Sequence, residues 1–112
     1  MTGPSPMDEL RKAVADQKKA NLPLEPEDPA MDEIHRAAVA YDQMVSQMVI
    51  GVIQGIKPLV TEQQVRKAQA ALDRALDAPE SRNNRKAQVY RNYKERLDRM
   101  YALVTQIRSE GL

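Results

Sequence analysis

The sequence predicts an all-α fold, a small bundle of three main helices with an N-terminal helical arm on a proline-rich linker. Apolar residues recur at alternating spacings of three and four along most of the 112-residue chain, which is the period of one helix face. Proline, serine, threonine and aspartate stand where helices typically begin. Phe, Trp and Cys are absent, so the core must be built from aliphatic residues, six Met and four Tyr. We expect the arm and linker over residues 1–29 and the bundle over residues 30–112.

The first helix is expected from Pro6 to about Lys19. Ser5 is a favourable N-cap, and Pro6 suits the first helical position, where its missing N–H is not needed. The apolar stripe of this helix is short and consists of Met7, Leu10 and Val14. A helix with so little apolar surface is marginal by itself. We therefore expect it to be ordered by contact with something else.

Residues 21–29 contain three prolines and three acidic residues, which predicts an extended, negatively charged linker.

The second helix is expected to begin with Asp28 as N-cap and Pro29 at the first position, and to end at Gly55. Its apolar residues form a heptad seam of Ile34, Ala38, Tyr41, Val45, Met48 and Val52. Further apolar residues surround the end of this helix, so this end is predicted to be buried on several sides.

The third helix has the clearest predicted start, because residues 61–64 match the capping box. Its seam is Val65, Ala68, Leu72 and Ala75, and Pro79 breaks the chain after it. The fourth helix is expected from about Ser81 to Arg108, with Ser81 or one of two asparagines, Asn83 and Asn84, as its cap. Its seam keeps strict heptad spacing through Tyr90, Tyr93, Leu97, Met100, Val104 and Ile107. We expect the third and fourth helices to form an antiparallel hairpin with the second helix packed along it.

Several kinds of chemistry are excluded by composition. A chain without Cys has no disulfide, no thiolate metal ligand and no thiol nucleophile. His35 is the single histidine and follows Asp32 by three residues, the spacing that di-iron bundles use, but such sites need two of these pairs. We therefore expect a protein that is not an enzyme, with no catalytic residue, metal or cofactor.

The net charge of +1 conceals an asymmetry. Residues 1–56 hold five basic and nine acidic residues, whereas residues 57–112 hold twelve basic and seven acidic residues. The basic excess is concentrated in the last helix, where five residues are candidates for nucleic-acid binding: Arg82, Arg85, Lys86, Arg91 and Lys94. A solvated face or an acidic protein partner explains the same charges, and the tyrosines of this helix fall on the apolar seam. Nucleic-acid binding or a regulatory role is therefore the alternative hypothesis.

The apolar excess near the end of the second helix has two interpretations: Met44 and Met48 fill a core that lacks Phe, or Val49, Ile50 or Ile53 belong to a protein interface. Two sides of that helix can be covered by the third and fourth helices, whereas a third side needs the first helix or another chain. The candidate partner-binding residues are Met44, Met48, Val49, Ile50 and Ile53, with Leu10 and Val14 on the arm. We expect a non-enzymatic interaction module, a small structural or adaptor subunit of a larger assembly, whose partner is another protein or further copies of itself.

The N-terminus shows no signal-peptide pattern of a basic region followed by an apolar stretch. Apolar runs are also far shorter than the ~20 residues that a membrane span requires. We expect a soluble protein, cytoplasmic by default.

Overall fold

The computed structural model describes residues 5–19, 29–82 and 84–110, and it confirms the all-α fold. The helices are α1 (Pro6–Lys19), α2 (Asp32–Gln54), α3 (Glu62–Asp77), α4 (Pro79–Arg82) and α5 (Ala87–Ser109). A 3₁₀ turn at Pro29–Met31 leads directly into α2. The N-cap predicted at Asp28 and nearly all of the predicted linker, residues 21–28, lie outside the described residues.

The starts of α1 and α3 carry the predicted side-chain caps. The Asp8 amide donates a 3.2 Å hydrogen bond to the Ser5 hydroxyl. At α3, the Gln64 amide donates to the Thr61 hydroxyl at 3.2 Å, and the Thr61 amide donates to the Gln64 side-chain carbonyl at 2.8 Å. These bonds satisfy N–H groups that a helix start leaves without an intrahelical partner. The capping box is therefore confirmed.

The last long helix begins later than the expected start at about Ser81. The short helix α4 ends at Arg82, and α5 begins only at Ala87. Asn84 lies in the interruption, where its side-chain oxygen accepts a 2.9 Å hydrogen bond from the Lys86 amide and its carbonyl accepts one from Ala87. Asparagine side chains that bond the nearby backbone compete with helical hydrogen bonding. The chain consequently turns here before α5 begins.

The central helix of the bundle is α2, which packs along both α3 and α5. The predicted seam of α2 is buried from Ile34 to Met48, and Val52 is half-buried against the same core. By contrast, α3 contacts α5 at few positions, so the expected hairpin of these helices is a minor contact. The physical reason is that α2 lies between them, so the apolar face of α3 is covered mainly by α2 and that of α5 by α2 and α1.

The first helix packs on α5 of its own chain. Leu10 is completely buried in the common core, and Met7 and Val14 pack against that core. Beside this contact, the Arg96 guanidinium donates a 3.0 Å hydrogen bond to the Gln17 side-chain carbonyl and lies over the Tyr93 ring. The contact that orders α1 is therefore supplied within the chain.

A polar network joins α2, α3 and α5 inside the bundle. One carboxylate oxygen of Asp98 accepts hydrogen bonds from the Tyr41 hydroxyl at 2.6 Å and from the Gln69 amide at 2.8 Å. Its other oxygen pairs with Lys94 at 2.6 Å, and Lys94 also pairs with Asp73 of α3 at 2.9 Å. Because buried polar groups are costly when left without partners, this network favours one alignment of the three helices.

Candidate interaction surface

The surface with the strongest indication of function lies where α2 ends. Gly55 adopts a left-handed conformation with φ of 70°, which terminates the helix without the steric cost that a side chain would add. The Gly55 amide donates to the Val52 carbonyl at 3.3 Å, and the Ile56 amide donates to the Gly51 carbonyl at 2.9 Å. These bonds turn the chain back toward the last turn of α2.

The turn lies very close to α2 at Gly51. A Cβ atom placed on Gly51 would lie 3.1 Å from both the Ile56 carbonyl oxygen and the Pro58 Cβ. The missing side chain at this position therefore lets the turn pack directly on the helix backbone. This role of Gly51 was not predicted, although a glycine inside an otherwise apolar helix is a recognised sign of close backbone approach.

Four large aliphatic side chains remain exposed around this turn, and we call them the apolar corner: Ile50, Ile53, Ile56 and Leu59. Leu59 is 88% exposed, more than any of the other large apolar side chains described as exposed. The corner is also poor in charge, because residues 50–59 contain only one charged residue, Lys57. Outside it, Val89 is the only exposed large aliphatic residue in the described ranges. Clustered exposure of this kind marks interaction surfaces more often than scattered single residues do.

No protein-family model, curated protein or solved structure matches this chain.

The predicted partner-binding residues divide between the core and the surface. Leu10, Met48 and Val49 are buried in the core, and Val14 and Met44 are half-buried against it. Only Ile50 and Ile53 of that set belong to the apolar corner. Helical periodicity indicated the correct end of α2 but did not separate core from surface there, because nearly every position of the last turns is apolar.

Ile56 and Leu59 belong to the apolar corner but were not among the predicted residues. Both follow the last helical residue, where side-chain direction depends on the turn and not on a helical period. An indirect signal was present, since two large aliphatic residues flank Lys57 and Pro58 in a connection where polar residues are usual.

The basic residues of the alternative hypothesis are also divided. Arg91 donates hydrogen bonds to backbone carbonyls, the shortest of them to Ser81 at 2.7 Å. Lys94 is mostly buried between two carboxylates, and Arg82 pairs with Asp77 at 3.5 Å. Arg85 and Lys86 lie on the surface. Arg91 and Lys94 therefore link α5 to α4 and α3, whereas the pair of Arg82 with Asp77 is mostly exposed to solvent.

His35 is half-buried on α2, and its Nδ1 atom lies 3.0 Å from the Tyr90 hydroxyl of α5 in an edge-on ring contact. Across residues 5–19, 29–82 and 84–110, no three His, Cys, Asp or Glu side chains are grouped so that they could hold a metal ion.

Among the described helices, none combines the length and the apolar character needed to cross a membrane.

Proposed function

We propose that this chain is a non-enzymatic helical interaction module, a small structural or adaptor subunit of a larger assembly. The observation that carries this proposal is the apolar corner, where four exposed aliphatic side chains surround a single turn. Fully burying one Leu or Ile side chain contributes roughly 1.5–3 kcal/mol. A partner that covers the corner would therefore gain enough to offset part of the entropy lost on association.

The construction of the turn supports docking at this position. The apolar corner is held by the Gly55 helix cap and by the close contact of Pro58 with Gly51. A surface that is already ordered loses little conformational entropy when it is covered. The corner also contains no acidic group, so a partner would not have to desolvate a carboxylate in order to cover it.

The proposal is tested first with the purified protein. Sedimentation velocity compares the wild-type chain with a corner variant, Ile53→Ser with Leu59→Ser, over a wide concentration range. Val89→Ser is the matched control, because Val89 is an exposed aliphatic residue on a different helix. If the partner is a second copy, the wild type and the control associate and the corner variant does not.

A second measurement tests the case in which the partner is a different protein. A photo-cross-linking amino acid at Leu59 captures proteins in an extract of the native cells, and each captured protein is then purified and titrated with the chain. The proposal requires binding that the control variant retains and the corner variant loses. A wild-type chain that stays monomeric, with captured proteins that bind both variants equally, would overturn the proposal.

Nucleic-acid binding has weaker support as a general function. Arg91 and Lys94 already contact the protein itself, Arg91 through backbone carbonyls and Lys94 through two carboxylates. The tyrosines of α5 are buried, so they offer no stacking platform for bases. The remaining basic surface is short. It therefore suits one small anionic group better than a long polyanion.

A further inference from the structure

A small basic cavity lies where α4 turns into α5, separate from the apolar corner. Its volume is about 410 Å³, and its lining consists of three guanidinium and two amide side chains: Arg82, Asn84, Arg85, Gln88 and Arg91. No lining residue is acidic. In sequence, residues 81–94 hold five basic residues and no acidic residue. The side chains that line the cavity therefore carry positive charge and no negative charge.

Arg91 is held in position by the backbone. One nitrogen of its guanidinium, Nη2, donates to the carbonyls of Ser81 and Arg82 at 2.7 and 3.2 Å. Within the described part of the chain, the other guanidinium nitrogens of Arg91 have no hydrogen-bond partner. A guanidinium fixed on one edge presents its remaining N–H donors in a defined direction, which suits the oxygens of a phosphate group.

The guanidinium groups of Arg85 and Arg82 make only weak contacts, or none, with the rest of the protein. The Arg85 side chain is exposed and makes no hydrogen bond or ion pair with any described residue. The pair between Arg82 and Asp77 is 3.5 Å long and mostly exposed to solvent, so it contributes little to stability. Both side chains can therefore turn toward an anion without breaking a strong contact.

The surroundings favour one phosphate group over a chain of them. A larger groove of about 980 Å³ adjoins the basic cavity and shares Arg82, Gln88 and Arg91 with it. That groove also exposes the carboxylates of Asp73, Asp77 and Glu95. A nucleic-acid strand that continued along the groove would bring further phosphates against these carboxylates, which costs energy by like-charge repulsion.

We propose that the cavity lined by Arg82, Arg85 and Arg91 binds the phosphate group of a phosphate monoester. The dianionic phosphate accepts hydrogen bonds from the forked N–H donors of the arginines, and the Asn84 and Gln88 side-chain amides donate hydrogen bonds to its remaining oxygens. A small phosphorylated compound and a phosphorylated side chain present the same group. This site is independent of the apolar corner, so either proposal can fail while the other stands.

The test is a titration of the intact chain with phenyl phosphate, followed by NMR shifts of the backbone amides and arginine side chains. We expect saturable shifts at Arg85, Gln88 and Arg91, and an affinity that falls as salt is added. Inorganic phosphate and a phosphoserine peptide are titrated in parallel. Tighter binding of the peptide assigns the site to a phosphorylated protein, and equal binding of all three probes assigns it to free phosphate compounds.

Arg85→Ala is the decisive variant, because Arg85 has no described contact whose loss would unfold the protein. Its affinity for phenyl phosphate should fall at least about fivefold, as expected for one lost charge-assisted hydrogen bond. Arg99→Ala is the control, since Arg99 is exposed on α5, about 12 Å beyond Arg91 along the helix. Its affinity should stay within about twofold of the wild-type value.

Three results would overturn the proposal. The first is the absence of saturable shifts at the lining residues. The second is an equal loss of affinity in the Arg85→Ala and Arg99→Ala variants, which would indicate nonspecific attraction. The third is tighter binding of a single-stranded RNA oligonucleotide than of phenyl phosphate with dependence on Arg99, which would assign the surface to nucleic acid.

Discussion

The Tyr41 hydroxyl of α2 donates a 2.6 Å hydrogen bond to the Asp98 carboxylate of α5, across 57 positions of sequence. The Gln69 amide of α3 donates to the same carboxylate oxygen at 2.8 Å. A single acidic side chain is thereby shared by the three longest helices. Apolar seams allow neighbouring helices to slide by a turn at modest cost, whereas a shared carboxylate is satisfied in one alignment.

Tyr41→Phe should destabilise the protein by about 1–2 kcal/mol, because it removes a hydrogen bond to a charged group while keeping the ring in the core. The measurement is urea unfolding followed by circular dichroism. Tyr101→Phe is the control, since the Tyr101 hydroxyl reaches the partly exposed Glu62 carboxylate only at 3.4 Å. A Tyr41→Phe variant as stable as the control would contradict this role of Tyr41.

Stability should fall in alkaline solution. Burial raises the pKa of Tyr41 and Tyr93 above the ordinary tyrosine value, and their hydrogen bonds to Asp98 and Asp42 raise it further. For Lys94, burial lowers the pKa, but hydrogen bonds to Asp98 and Asp73 outweigh it and the pKa is raised. Groups with a raised pKa in the folded state stabilise it fully below their unfolded values, near pH 10, and lose that contribution above them.

Urea midpoints measured from pH 8 to pH 11 test this expectation. The free energy of unfolding should be insensitive to these three groups at pH 8 and should decrease beyond about pH 10. A Tyr41→Phe, Tyr93→Phe double variant removes both phenols, so its decrease should be shallower than that of the wild type. An identical decrease in the two proteins would show that these tyrosines do not carry the effect.

Gly55→Ala should destabilise the protein by about 1–2 kcal/mol, the cost of a left-handed conformation for a residue with a side chain. For a domain of this size the melting temperature should fall by roughly 4–12 °C. Gln54→Ala, one residue earlier and still helical, should change it little. A Gly55→Ala variant that melts with the wild type would mean that the chain can leave α2 by another turn.

Leu10→Ala should cost about 2–4 kcal/mol, because Leu10 is completely buried where α1 joins the core. Hydrogen exchange should show the α1 amides losing protection first, since the apolar stripe of α1 is short. The exposed Lys12→Ala on the same helix is the control. A loss under about 1 kcal/mol, with α1 protection unchanged, would show that α1 does not depend on this contact.

Local signals in the sequence predicted the local features of the fold correctly. The caps at Ser5 and Thr61 and the buried seam of α2 depend on spacing within a few turns of one helix. The exact start of the last helix was not predicted, because Ser81 and two asparagines were all candidate caps and spacing does not show which side chain bonds the backbone. The direction of Leu59 was missed because it lies in a turn.

The sequence by itself determined the all-α class, most helix boundaries and the end of α2 at which apolar surface accumulates, since these follow from periodicity and capping chemistry. The tertiary structure alone decided which helices pair and which of those apolar residues are buried. It placed Leu10 and Val49 in the core and left Ile53 and Leu59 exposed. The physical reason is that an apolar residue gains equally from any apolar neighbour, so its partner is selected only when all the helices pack together.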